Sequence, residues 1–150
     1  MYRYLLTIAL MIVPLCHAGE SQITLNTTTI DVDLAITDNE HRQGLMGKTE
    51  LKNNQGMLFI YSEPKHLSFW MKETLIPLDI LFFDGDGRLL EIINSAPPCK
   101  KMPCKTYKNQ IPAQYVLELR AGSAKQLKLK LGDRFQSSKS INGRTATDIK

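Results

Sequence analysis

The chain has 150 residues, 43% hydrophobic and 23% charged, with a net charge of +4. That is material for one domain. The composition excludes a collagen, a coiled coil, a repeat array, a polytopic membrane protein and a fully disordered chain.

Residues 1–18 read as a secretory signal. Arg3 supplies a positive start, and Leu5 to Leu15 is an apolar core interrupted only by Thr7 and Pro14. Cys16 and Ala18 are small residues suited to a cut after Ala18. The apolar run is shorter than the about 20 residues that span a bilayer. An uncleaved anchor is one alternative. A lipoprotein site at Cys16 is another, although Leu15 stands where a small residue is expected. The cut removes Arg3 and no acid, so +4 becomes +3. Nucleic-acid binding calls for a denser basic stripe. Cys99 and Cys104 remain, an even number suited to an oxidising compartment. The expected location is periplasmic or secreted, with no stable membrane span after cleavage.

Gln22 to Asn26 and Thr29 to Thr37 alternate polar and apolar residues, which predicts half-buried strands. Thr37 and Glu40 have capping-box spacing, and Asp38 suits a first turn, so a helix is expected to about Met46, stopping at Gly47. Gly56 to Tyr61 and Leu67 to Lys72 read as strands. Leu78 to Phe83 and Leu89 to Ile93 flank the turn Asp84-Gly85-Asp86-Gly87. The stretch 94–112 holds four prolines and both remaining cysteines and reads as loop. Gln114 to Leu119 is a strand. Ser123 to Leu131 fits a short helix better than a strand, and a last strand is expected near Arg134 and Phe135. The tail, 137–150, is polar and expected to be disordered. The sum is a single compact domain over 19–136, mostly β, sandwich- or barrel-like, with two short α-helices.

Several strings occur in order: Gly44-Leu45-Met46, Gly56-Met57-Leu58-Phe59, Phe69-Trp70-Met71-Lys72, Thr74 and Pro77-Leu78-Asp79-Ile80. Ala96-Pro97-Pro98-Cys99, Cys104, Tyr107, Tyr115-Val116-Leu117-Glu118 and Gly132-Asp133 follow. Together they closely resemble the exported "domain of unknown function 192" family over about residues 23–136. One departure is Glu73, where that family often has Asn. The resemblance implies a compact, mostly β fold with two short helices, and no settled activity.

Candidate chemistry starts at Trp70. In an extended strand, Leu67, Phe69 and Met71 share one face, while His66, Ser68, Trp70 and Lys72 share the other. An indole beside an ammonium can stack on a sugar or an organic cation. It can also simply pack beneath the 94–112 loop. Asp79 lies in a strand apolar on both faces, so its carboxylate must be paired, hydrogen-bonded or neutral. Lys72 and Arg42 are the expected cations. The proposed recognition surface is therefore Trp70, Lys72, Arg42 and Asp79, overlaid by the cysteine loop.

Cys99 and Cys104 lack the spacing of redox or zinc motifs, which leaves a structural disulfide as the leading reading. Such a bridge contributes roughly 2 kcal/mol in the chain-entropy model. A copper-handling reading would draw on Met46, Met57, Met71 and Met102 with His41 and His66. A hydrolase reading would need Asp79 and His66 brought together. No nucleophile elbow is present. The Asp84–Arg88 turn lacks calcium-ligand spacing. Lys100, Lys101, Lys105 and Lys108 make the cysteine loop basic, suited to solvent or to an anionic surface. The expected role is a non-catalytic binding or accessory module of the cell envelope, without metal or cofactor. Its partner would be a small molecule, a glycan or an envelope protein, and not nucleic acid.

Overall fold

A computed structural model describes residues 21–137. The expected signal at 1–18 and the tail beyond 137 lie outside the described residues. Nine strands and two helices follow in the order β1 (Ser21–Leu25), β2 (Thr28–Ala35), α1 (Asp38–Gln43), β3 (Gln55–Lys65), β4 (Ser68–Trp70) and β5 (Leu78–Phe83). They continue with β6 (Leu89–Ala96), β7 (Thr106–Lys108), β8 (Ala113–Arg120), α2 (Ser123–Gln126) and β9 (Phe135–Ser137). The fold is mostly β with two short helices, as composition and turn signals imply.

Seven strands form one curled sheet in the order β6-β5-β8-β3-β2-β1-β9. All its pairings are antiparallel except β2 with β3, which are joined through α1. The curl brings the sheet's two ends together. Arg88 bridges Arg134, Leu89 N–H donates to the Asp133 carbonyl at 2.7 Å, and Phe135 N–H donates to the Gly87 carbonyl at 3.0 Å. A second, two-stranded sheet pairs β4 with β7.

Side-chain alternation gives the large sheet two apolar faces. One face holds Ile23, Ile30, Leu58, Leu81, Leu117 and Phe135. The other holds Phe59, Ile80, Phe82 and Val116, covered by Leu45, Phe69, Met71 and Tyr107. Every residue of β5 is buried, because β6 and β8 flank it and both its faces are covered. Edge-to-face rings link Phe59 to Phe69 and Phe69 to Phe82, fastening the small sheet to the large one.

Several boundaries differ from the pattern: β3 runs on to Lys65, β4 is confined to Ser68–Trp70, and α2 ends at Gln126 rather than Leu131. Helix α1 ends at Gln43, not Met46, because Gly44 turns to φ 45° while its N–H still donates to the Glu40 carbonyl. The 94–112 stretch is not all loop: β6 runs on to Ala96, and Thr106–Lys108 pairs with β4. A three-residue strand with a single inward side chain, Tyr107, is too short to show a period. Ser137 belongs to β9 and is buried, so it is not part of a disordered tail.

Candidate functional site

A cleft of about 280 Å³ opens between α1, the end of β3 and the small sheet. Its walls include His41, Arg42, Phe59, Tyr61, Phe69 and Trp70, with Met46 and Thr74 beside them. Glu118 lines it from β8. A larger depression of about 540 Å³ lies along Thr49–Lys52, Ile76, Pro77, Arg120 and Ala121. Its lining holds no buried titratable group, and its arginine donates to Asn53 at 2.9 Å. The smaller cleft is the one with chemical character.

Local sequence sets its walls. Thr37 caps α1, accepting from Glu40 N–H, while the Glu40 carboxylate accepts from Thr37 and Ile36 N–H at 2.8 Å. Those backbone bonds hold the Glu40 carboxyl below the ordinary range. His41 fixes the helix to the sheet: its Nε2 lies 3.0 Å from the Ala35 carbonyl and 3.1 Å from the Ile60 carbonyl. With two carbonyls as neighbours, that nitrogen is the one bearing hydrogen. The imidazole stacks on Tyr61 with centroids 4.4 Å apart. Arg42 projects into the same cleft and donates to Asn39.

The alternation expected around Trp70 is present. Leu67, Phe69 and Met71 are buried, whereas Ser68 and Trp70 are exposed, Trp70 by 44%. Lys72 Nζ sits 5.4 Å from the indole centroid and pairs with Glu73 at 3.5 Å. Trp70 and Arg42 thus share the cleft, with Lys72 at the indole's side.

Asp79 is elsewhere. It alternates with Ile80 on β5, so it points to the sheet face opposite the cleft. Its partners are neither Lys72 nor Arg42. One oxygen accepts from Ser95 N–H at 2.8 Å and the other from Ala124 N–H at 2.9 Å, in the first turn of α2. This satisfied carboxylate ties β6 and α2 to β5. His66 lies beside the Asn109 carbonyl at 3.4 Å, so the acid and imidazole of the hydrolase reading are not joined. The cysteine loop also lies to one side: Cys99 and Cys104 neighbour Lys72 and Glu73, not the cleft.

Cys99 and Cys104 form a disulfide, with Cα atoms 5.5 Å apart. Among the described residues, no group of three or more His, Cys, Asp or Glu is placed to hold a metal ion. No helix among them is long and apolar enough to cross a membrane.

Glu118 is the site residue that parity at Trp70 does not reveal. It faces the cleft side of the sheet, between Met57 of β3 and Ile80 of β5. Only 5% of it is exposed. Burial pushes its carboxyl up to about 8. Burial and the nearby Glu118 together push the Tyr61 phenol to about 12. At neutral pH both groups are protonated, and each offers a hydrogen-bond donor near the cleft. The signal is present in the sequence: an acid set among Tyr115, Val116, Leu117 and Leu119, much like the signal that marks Asp79.

The family model described as an uncharacterised conserved region, domain of unknown function 192, matches residues 21–137. The chain belongs to the DUF192 family. None of the curated proteins matches it. Two solved structures share the fold. One is a proposed transcription regulator from Sinorhizobium meliloti 1021, 33% identical, with a TM-score of 0.75; the match covers 80% of this chain and 95% of that one. The other, from Novosphingobium aromaticivorans DSM 12444 and of unknown function, is 34% identical with a TM-score of 0.71; that match covers 77% and 83%. The strings that carry the DUF192 resemblance supply much of the cleft: Gly44, Met46, Phe59, Trp70, Thr74 and Glu118 all line it.

Proposed function

We propose that this DUF192 chain is an exported, non-catalytic module that binds a small organic molecule in the cleft beside Trp70. The observation that carries this is Glu118, a buried carboxyl at the wall of a cleft that also gathers Phe59, Tyr61, Phe69 and Trp70. Sites of this kind combine apolar walls with a few placed polar groups, and a strongly shifted acid marks them. Trp70 supplies exposed apolar area, while Arg42 and Lys72 add positive charge at the edge. Asp79, satisfied by two amides, has no part in binding.

The export reading rests on residues 1–18, and the Cys99–Cys104 disulfide supports an oxidising compartment. The regulatory role proposed for the Sinorhizobium neighbour is not carried over.

The test is a fragment screen on isotope-labelled protein, read by amide and indole shifts. Hits perturbing Gly44, Tyr61, Trp70 and Thr74 together support the reading. Hits scattered elsewhere, or none at that cleft, overturn it.

A further inference from the structure

The cleft holds a guanidinium, Arg42, and a neutral carboxyl, Glu118, that do not pair. Arg42 donates to the neutral amide of Asn39 and, among the described residues, takes part in no ion pair, whereas the nearby Lys72 is engaged with Glu73. Glu118 likewise takes part in no ion pair among the described residues. A guanidinium at the mouth and a carboxyl in the wall of one small cavity leave opposite ends for one guest to satisfy. Resting on the cleft reading above, we infer that the ligand is a small zwitterion of the amino-acid class, its ammonium on Glu118 and its carboxylate on Arg42, with the aliphatic link against Phe59, Phe69 and Trp70.

Both ends have physical reasons. Guanidinium matches a carboxylate with a bidentate fork. An ammonium set among aromatic faces gains from the ring quadrupoles as well as from the acid. These rings already lie near ammonium groups: Lys65 Nζ is 4.8 Å from the Tyr61 centroid, and Lys72 sits by Trp70. A guest with only an acid would leave Glu118 without a partner. A guest with only an amine would leave the positive edge unanswered.

Binding has a proton cost that can be measured. Free, Glu118 is protonated at neutral pH; beside an ammonium it ionises and its proton goes to buffer. Affinity therefore climbs as pH rises toward about 8. The other titratable or charged groups at the cleft are Tyr61 of β3, which feels Glu118 directly, and His41 and Arg42 of α1, with Lys65 over the Tyr61 ring. The β4 and β5 faces contribute Phe69, Trp70, Ile80 and Phe82, none of which titrates.

Trp70 is the single tryptophan of the chain, so its fluorescence reports the cleft directly. The probes are ω-amino acids from glycine to 6-aminohexanoate, with butylamine and butyrate as one-ended controls. One zwitterion of the series should bind roughly tenfold tighter or better than either control, and calorimetry in buffers of different ionisation enthalpy should show proton release. Glu118→Gln should reduce that zwitterion to the level of butyrate and abolish the proton release. Arg42→Gln should reduce it to the level of butylamine. A control that binds as tightly as every zwitterion overturns the inference, as does full zwitterion affinity in Glu118→Gln. The four-way comparison on wild-type protein decides the matter even if a variant folds poorly. If no probe binds while the fragment screen still fills the cleft, the inference falls and the cleft reading stands.

Discussion

The backbone carbonyl of Glu118 lies 2.8 Å from where a β-carbon on Gly56 would stand, and Leu119 Cδ2 is equally close. Strands β3 and β8 approach each other here only because position 56 has no side chain. Gly56→Ala must push β8 aside and disturb the strand that carries Glu118. It is expected to destabilise by about 1–3 kcal/mol, measured by urea unfolding. Unchanged stability would mean that the two strands separate freely at this point.

Glu118 makes stability depend on pH in a defined direction. Unfolded, a glutamate titrates near 4.5; folded, this one titrates at about 8. Between those values the native state holds a proton that the unfolded chain has lost, so stability falls as pH rises through that window. The fall attributable to this group is on the order of 4 kcal/mol. Glu118→Gln should unfold at similar urea concentrations to wild type near pH 5 and at higher ones near pH 8. Parallel pH profiles for the two proteins would show that the carboxyl is not desolvated.

Asp79 should behave as a structural acid. Asp79→Ala leaves the Ser95 and Ala124 amides without their acceptor, a loss of about 3 kcal/mol or more. Where the variant remains folded, Trp70 emission and ligand response should match wild type, because the carboxylate points to the other sheet face. Lost binding in a folded variant would place Asp79 in the recognition surface after all.

Glu73 sits at φ 54°, a left-handed conformation in which its carbonyl accepts from Gly47 N–H at 2.9 Å. Asn adopts this region more readily than Glu, which gives a backbone reason for Asn there. Glu73→Asn also loses the exposed ion pair with Lys72, worth little. The net expectation is a gain of about 0.5 kcal/mol in thermal or urea unfolding. Glu73→Gln, which loses the pair alone, should show no gain; equal behaviour of the two variants would contradict the conformational explanation.

The strands were legible because alternation is a local property of the chain. Ile30, Val32 and Leu34 mark β2, and the Asp84–Gly87 turn marks the β5–β6 hairpin, whatever packs against them. The capping box of α1 is equally local. The placement of Asp79 was not legible. Its burial follows from β5, but its partners come from Ser95 and Ala124, 16 and 45 residues along the chain. Opposite charges attract on paper, yet two amides in the right place satisfy a carboxylate as well as an arginine. Glu118 needed the register of β3, β8 and β5 to show which acid turns to the side of the sheet where the cleft lies. Trp70 and Arg42 line one cleft because α1 is anchored to β3 by His41.

The union of Arg88 with Arg134, and of Leu89 with the 132–133 turn, has a consequence for solubility. A sheet that curls until its first and last members share amides offers little bare margin there on which a foreign strand could template itself. Short β9, only three residues long, works as a clasp. Along residues 87–89 that margin is already paired within the chain.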